Sequence, residues 1–129
     1  MTPKRRATYI RRYPCSPGPF VALVTSEDML ADELRRLKFR ENIPFLRSEA
    51  ADATTHFLVN RGNTTALVCL GNTEGRTKAE VIGLLAHEAV HIMQDYFESI
   101  GESTPSKEVQ AYAVQHYTQL LFHEWEKTK

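Results

Sequence analysis

Residues 77–91 read TKAEVIGLLAHEAVH, and this stretch decides how the rest of the chain can be arranged. Thr77 and Glu80 have the spacing of a capping box, in which the side chain of each residue accepts a hydrogen bond from the backbone amide of the other. The pattern predicts a long helix that ends near Gly101. Its first half, Val81–Ala86, is apolar nearly all round, which indicates a helix buried inside the domain.

The same helix carries two histidines and a glutamate in the order His87-Glu88-Ala-Val-His91. Histidines four apart on a helix are separated by roughly 40° around its axis, so both imidazoles can reach one ion. Glu88 projects beside that ion and can take a proton from an activated water without being a ligand. The pattern predicts a zinc site with His87 and His91 as metal ligands and Glu88 as catalytic base. Iron or manganese, or two ordinary helix histidines, are the alternatives.

A catalytic zinc usually has three protein ligands and one open position, so a third ligand must come from elsewhere in the chain. We expect the turn at Gly101–Pro105 to fold the last helix back against the helix that carries the histidines. Glu108 lies near the start of that last helix and is the best candidate for the third metal ligand. His116 and His123 are the other contenders.

The segments before the motif predict a sheet. Phe20–Val24 has the β-branched and aromatic content of a buried strand, and Ser26 can cap a helix that runs to about Phe39. His56–Val59 and Ala66–Leu70 flank a linker rich in asparagine and glycine, which is typical of an antiparallel hairpin.

The end of the chain predicts one more helix. Thr104-Pro105 opens it, since proline at the first helical position lacks only an amide that would be unpaired anyway, and it runs towards Trp125. The predicted fold is α+β. A small antiparallel or mixed sheet packs on the buried helix of His87 and His91, and the C-terminal helix supplies the third ligand.

Length and charge limit the possible classes of function. A chain of 129 residues is enough for one compact domain, so we expect residues 1–129 to form a single domain. Sixteen basic residues balance sixteen acidic ones, which argues against nucleic acid as a partner. Residues 1–19 are basic and contain prolines, and are interpreted as a solvated arm or as an arm that docks on nucleic acid or another partner.

The chain has no sequence signal for a membrane or for export. No window approaches the roughly 20 apolar residues that a membrane helix needs. The apolar run Phe20–Val24 is too short for a secretory signal, so we expect a cytoplasmic protein. Cys15 and Cys69 match neither a disulfide framework nor a paired metal-ligand spacing and are expected to be free thiols.

The motif His87-Glu88-x-x-His91, followed by Glu108, resembles the pattern of the gluzincin metallopeptidases. The small size of the chain is similar to that of the single-domain members called minigluzincins. The stretches LAHEAVH (residues 85–91) and EVQAY (residues 108–112) also resemble small metallopeptidases encoded by phages and prophages. The resemblance covers residues 64–125 and is carried mainly by these two motifs.

This resemblance implies a hydrolase in which zinc polarises the scissile carbonyl and an extended peptide pairs with an exposed edge strand, here Ala66–Leu70. Glu88 would act first as general base and then as general acid. The chain departs from the larger gluzincins at Tyr112, where they carry an acid that orients a zinc-bound histidine.

Three further residues could support the chemistry. Tyr112 and His116 share a helix face with Glu108 at spacings of four. Either could donate a hydrogen bond to the oxyanion formed in peptide hydrolysis, or could pack as part of an amphipathic helix. Asp95 could accept the second ring proton of His91, or could lie exposed on the helix.

Three functions are compatible with these patterns. The first is a zinc-dependent peptidase of narrow specificity that acts on a peptide or protein substrate. The second is a non-catalytic zinc-containing protein of phage or prophage type that binds a partner through its exposed strand. The third is a protease guided to nucleic acid by the basic arm, which the net charge of zero disfavours. Glu88 favours the first, because a purely structural zinc site has no use for a base beside the metal.

Overall fold

The computed structural model describes residues 6–10, 19–60 and 62–129. Its elements are, in chain order, β1 (Tyr9–Ile10), β2 (Phe20–Val24), α1 (Glu27–Arg36), β3 (Ala53–Asn60), β4 (Asn63–Leu70), α2 (Lys78–Ser99) and α3 (Lys107–Glu126). The predicted α+β class is confirmed. No helix in the described ranges is long and apolar enough to cross a membrane.

The four strands form one mixed sheet in the order β1-β2-β4-β3. Strands β2 and β4 are parallel, whereas β1 is antiparallel to β2 and β3 is antiparallel to β4. The predicted hairpin is confirmed as β3 and β4. Gly62 in its turn has φ +81°, a left-handed conformation that glycine adopts without steric penalty.

The edge strand on this side of the sheet is β3, and the prediction that Ala66–Leu70 is the exposed edge is wrong. These five residues lie in β4, between β2 and β3, and each is at most 1% exposed. A strand with helices on both faces needs apolar side chains on both, so its sequence runs apolar without alternation. The continuous apolar run therefore indicates an interior strand.

Helices cover both faces of the sheet. On one face, α2 and α3 pack against the buried side chains of β2 and β4. On the other face, α1 packs with a second buried cluster that includes Leu30, Leu34, Leu67 and Cys69. The sheet is the middle of three layers, and burial of apolar surface on both of its faces stabilises the domain.

Helix α1 is shorter than predicted. It begins as expected, with Ser26 Oγ accepting a hydrogen bond from the Met29 amide at 3.1 Å. It ends before Phe39, because Lys38 has φ +59° and the Phe39 amide donates to the Leu34 carbonyl at 2.8 Å. These are the features of a Schellman motif. Since a lysine takes the position usually held by glycine, the sequence carries no signal for this end.

Helix α2 begins with the predicted capping box. The Glu80 amide donates to Thr77 Oγ1 at 3.1 Å, and the Thr77 amide donates to the Glu80 carboxylate at 2.9 Å. The prediction that the first half of this helix is buried all round is wrong, since Ile82 is 39% exposed and Gly83 is exposed. The sheet and α3 together cover only one side of α2, so its outer side faces solvent.

Helix α3 folds back along α2. It begins at Lys107 rather than at the predicted Pro105, because Ser106 is its N-cap and accepts a hydrogen bond from the Val109 amide at 3.2 Å. Its far end returns to the start of α2, where Lys78 Nζ lies 3.6 Å from the Glu126 carboxylate. The predicted reversal between the last two helices is therefore confirmed.

Part of the predicted N-terminal arm belongs to the sheet. Tyr9 and Ile10 form β1 and pair with β2. The Tyr9 hydroxyl donates to the buried carboxylate of Glu33 on α1 at 2.7 Å, so this part is not the solvated arm that the sequence predicts. Strand β1 is at the edge opposite β3. Residues 1–5 and 11–18, including Cys15, lie outside the described residues.

Candidate metal centre

His87 and His91 lie one turn apart on α2, and their side chains meet. His87 is exposed and His91 is half-buried. Their rings approach edge to face, with centroids 5.0 Å apart and planes at 74°. The two Nε2 atoms are 3.3 Å apart. The histidines therefore have the same-side arrangement that their spacing predicts.

This Nε2 separation of 3.3 Å fits two ligand positions on zinc. Zinc binds imidazole nitrogen at about 2.0–2.1 Å in tetrahedral geometry, which separates two ligand nitrogens by roughly 3.3–3.4 Å. A direct hydrogen bond between the rings is the alternative. In that arrangement Nε2–H of one ring would donate to Nε2 of the other, and the same distance of 3.3 Å allows it.

Gln94 offers a hydrogen-bond acceptor to the ring of His91. His91 Nδ1 lies 3.3 Å from Gln94 Oε1, and an amide oxygen can only accept, so Nδ1–H donates. In a neutral imidazole Nε2 then has the lone pair that a metal requires. Gln94, rather than Asp95, therefore accepts the second ring proton of His91. Partial burial and then the charge of Glu98 raise the pKa of the Asp95 carboxyl.

Glu88 faces the sheet rather than the solvent. Glu88 is 3% exposed, and Thr55 Oγ1–H donates to Glu88 Oε1 at 2.8 Å. No ion pair of Glu88 is present in the described part of the chain, so the hydroxyl of Thr55 is the group that positions the carboxylate. The bond connects the middle of α2 to the edge strand β3.

Glu88 and His91 open onto a common cleft of about 410 Å³ between α2, β3 and the segment before β3. The remaining lining residues are Pro44, Arg47, Thr54, Thr55, His56 and Phe57. Volumes of about 300–1,000 Å³ are typical of small-molecule sites. The cleft joins the candidate base, one candidate metal ligand and the edge strand.

The segment 44–47 is attached to β3 at two points. His56 Nε2–H donates to the Phe45 carbonyl at 3.3 Å, and the Arg47 amide donates to Thr54 Oγ1 at 2.9 Å. Thr54 and His56 are the two neighbours of Thr55 in the strand. Thr54 and His56 thus hold segment 44–47 in place as a wall of the cleft, and Thr55 between them binds Glu88.

Glu108 lies in the first turn of α3 and is exposed. Ala113 and Tyr117 mark the side of α3 that faces the core. At about 100° per residue, Glu108 points roughly 140° away from Ala113 and roughly 180° away from Tyr117. Among the residues that the structure describes, no three His, Cys, Asp or Glu side chains form a group that could hold a metal ion. Glu108 is therefore not brought together with the histidine pair, and its role stays a prediction.

Tyr112 and His116, the predicted oxyanion donors, lie farther along α3. Tyr112 is 59% exposed. His116 is half-buried, with its ring centroid 5.7 Å from that of Tyr117. Neither residue is among those that line the 410 Å³ cleft, and their catalytic role also stays a prediction.

Sequence reasoning missed five polar side chains beside the site: Arg47, Thr54, Thr55, His56 and Gln94. Gln94 could have been found, because it follows His91 by three positions and such residues are neighbours on a helix. Thr55 and His56 belong to opposite faces of β3. Which of those faces meets α2 becomes apparent only when the sheet is assembled.

Cys69 is a free buried thiol, as predicted. Burial, and to a lesser extent the negative charge of Glu88, raises the pKa of Cys69 to about 12. The thiol is therefore neutral near pH 7, and a neutral thiol is a poor nucleophile and a poor metal ligand. Cys69 takes no part in the candidate site.

No protein-family model, curated protein or solved structure matches this chain. The resemblance to the gluzincins thus rests on the two short motifs at residues 85–91 and 108–112.

Proposed function

We propose that this protein is a zinc-dependent peptidase that hydrolyses peptide bonds in a narrow set of substrates. His87 and His91 hold the ion through Nε2, and Glu88 is the general base. The observation that carries the proposal is the 3.3 Å separation of the two Nε2 atoms. The two nitrogens have the spacing of zinc ligands beside a buried carboxylate that opens onto a cleft.

The chemistry follows from these groups. Zinc, when bound, would polarise the scissile carbonyl and make a water molecule more acidic. Glu88 accepts a proton from that water as the water oxygen bonds to the carbonyl carbon. Glu88 then delivers the proton to the peptide nitrogen as the C–N bond breaks, which releases an acid and an amine. Thr55 holds the Glu88 carboxylate in position for both transfers.

The edge strand gives the substrate a place to bind. An extended peptide can add to the exposed edge of a sheet by main-chain hydrogen bonds. Strand β3 is such an edge, and its residues 54–57 line the same cleft as Glu88 and His91. A peptide that pairs with β3 therefore passes close to the candidate base and to one candidate ligand.

The third ligand would come from α3, and Glu108 stays the first candidate. Because Glu108 is exposed on the side of α3 away from the core, its approach to the histidines requires the first turn of α3 to rearrange. His116 is already half-buried, between the exposed side of α3 and the side that faces the core, so it would not have to move in from solvent.

Metal binding tests the proposal. We expect about one zinc per chain by elemental mass spectrometry, and its loss in His91→Ala. Zinc affinity is then measured against a competing chelator for Glu108→Ala, His116→Ala and His123→Ala. Glu102→Ala, which removes an exposed acid before α3, is the matched control.

Each result has one meaning. Weaker zinc binding by Glu108→Ala alone supports Glu108 as the third ligand. Weaker zinc binding by His116→Ala or His123→Ala instead assigns that histidine as the third ligand in place of Glu108. If the wild type binds no zinc when the ion is offered in solution, the proposed function is wrong.

The second candidate function is a non-catalytic zinc-containing protein that binds a partner through the edge of β3. The exposed position of Glu108 favours it, because two histidines alone fall short of the three protein ligands usual for catalytic zinc. Under this alternative the zinc-loaded wild type and Glu88→Gln would be equally inactive on a peptide library.

A further inference from the structure

Arg47 is the one permanent cation among the described residues that line the cleft beside Glu88. Arg47 is exposed, and within the described ranges its guanidinium has no ion-pair or hydrogen-bond partner. Arg35, Arg36 and Arg76 differ in this respect, since each of them pairs with a carboxylate. Arg47 is thus a charge beside the cleft that has no partner among the described residues.

The backbone of Arg47 is held in place. Its amide donates to Thr54 Oγ1 at 2.9 Å, and Phe45, two residues earlier, accepts from His56. Thr54 and His56 flank Thr55, whose hydroxyl binds Glu88 at 2.8 Å. The backbone of Arg47 therefore has a defined position relative to the candidate base, although it lies on a segment without regular secondary structure.

One permanent cation and one acid lie among the described residues that line the cleft, and of the two only the cation is exposed. Among the described residues of its lining, Glu88 is the single acid, and it is buried and bound by Thr55. The guanidinium of Arg47 stays protonated at any physiological pH and binds carboxylates through two parallel N–H···O bonds. The exposed charge of the cleft is thus suited to a carboxylate, although the net charge of the whole chain is zero.

We infer that Arg47 makes the cleft selective for a peptide segment that carries a carboxylate close to the bond to be cut. The inference rests on the proposed peptidase function and names its substrate class. The volume of about 410 Å³ lies towards the small end of ligand sites and suits a short segment. The carboxylate comes from the C-terminus of the substrate or from an Asp or Glu side chain, and Arg47 recognises the same chemistry in both.

A binding measurement that does not depend on hydrolysis tests this site. N-acetyl-alanine and its primary amide are titrated into the full chain, with a chelator present so that the carboxylate cannot bind zinc. Nuclear magnetic resonance follows the amides of residues 44–57 and the side chain of Arg47. We expect the acid to bind at least about tenfold more tightly than the amide, because a charge-assisted bond is lost in the amide.

Two variants assign the preference. Arg47→Gln removes the charge and should bind acid and amide equally, whereas Arg47→Lys keeps the charge but not the paired geometry and should retain part of the preference. Arg40→Gln is the matched control, since Arg40 is exposed in the same segment before β3 and lies outside the cleft.

Hydrolysis by the zinc-loaded protein then identifies the source of the carboxylate. One peptide series has free C-termini and no acidic residues, and the second is amidated and carries one glutamate at varied positions. Cleavage near the free end alone assigns the carboxylate to the chain terminus, and cleavage beside the glutamate assigns it to a side chain. In either case Arg47→Gln should raise KM about tenfold with little change in kcat.

The inference and the proposed function fail in different ways. Equal binding of acid and amide by the wild type, or equal effects of Arg47→Gln and Arg40→Gln, would overturn the inference about Arg47. Selective binding of the acid without hydrolysis of either peptide series would overturn the peptidase and leave the carboxylate site of Arg47 in place.

Discussion

Thr55 donates a hydrogen bond from Oγ1 to Glu88 Oε1 at 2.8 Å, and this bond connects the edge strand β3 to the middle of α2. Glu88 is 3% exposed, so water contributes little to the solvation of its carboxylate. The bond therefore has two effects, because it lowers the cost of burying Glu88 and it positions the candidate base at the cleft. Substitutions can measure the two effects separately.

The first prediction concerns stability. Thr55→Val keeps the volume and shape of the side chain but removes the donor, and we expect it to lower the free energy of unfolding by about 1–3 kcal/mol. Urea unfolding followed by circular dichroism measures the change. Thr55→Ser keeps the hydroxyl and should restore most of the loss. A wild-type midpoint for the valine variant would mean that the bond contributes nothing to stability.

The second prediction concerns catalysis. Glu88→Gln retains an oxygen that can accept from Thr55, so we expect the fold and zinc binding to be kept. Hydrolysis should fall by roughly 10²- to 10⁴-fold, because the amide cannot accept a proton from water. Glu98→Gln, an exposed acid on the same helix, is the control and should leave the rate unchanged. Undiminished cleavage by Glu88→Gln would show that the mechanism is wrong.

The third prediction concerns the support of His91. Gln94→Leu removes the acceptor for Nδ1–H, so the imidazole can rotate or change tautomer, and we expect zinc affinity to fall by about 10- to 100-fold. Competition with a chromophoric chelator measures the affinity. Gln94→Glu keeps an acceptor and should bind zinc at least as well as the wild type. Gln115→Leu, on the exposed side of α3, controls for the added apolar surface.

The fourth prediction concerns Gly83 in α2. A Cβ added there would meet no atom within 4 Å, and alanine loses less backbone entropy than glycine when a helix forms. We expect Gly83→Ala to raise the free energy of unfolding by about 0.5–1 kcal/mol. Gly71→Ala is the contrasting control, because its Cβ would lie 3.1 Å from the Asp52 carbonyl oxygen and 3.3 Å from Leu46 Cδ1. A gain in stability from both substitutions would contradict the packing described for Gly71.

The fifth prediction concerns Cys69. Burial, followed by the charge of Glu88, raises the pKa of this thiol to about 12, so the reactive thiolate is scarce at any pH below that value. We expect iodoacetamide at about pH 8 to leave Cys69 unmodified in the folded protein and to label it once urea unfolds the chain. Mass spectrometry of the Cys69 peptide measures the modification. Rapid labelling of the folded protein would mean that β4 is more accessible than its burial indicates.

Much of the local structure could be predicted from the sequence. The capping box of Thr77 and Glu80, the convergence of His87 and His91, and the β3–β4 hairpin all depend on residues close together in the chain. Their geometry follows from the helical period, from hydrogen bonds at a helix start and from the conformational freedom of a turn. For the same reason the sequence by itself determined the two candidate ligands and the candidate base.

The tertiary structure alone decided which strand is the edge, which residue holds Glu88 and which way Glu108 points. Ala66–Leu70 became an interior strand because β2, distant in sequence, pairs with it on the side away from β3. Thr55 reaches Glu88, and Arg47 the same cleft, only because β3 lies over α2. Each of these relationships depends on contacts between segments tens of residues apart, and the periodicity within one segment carries no information about its neighbour in the fold.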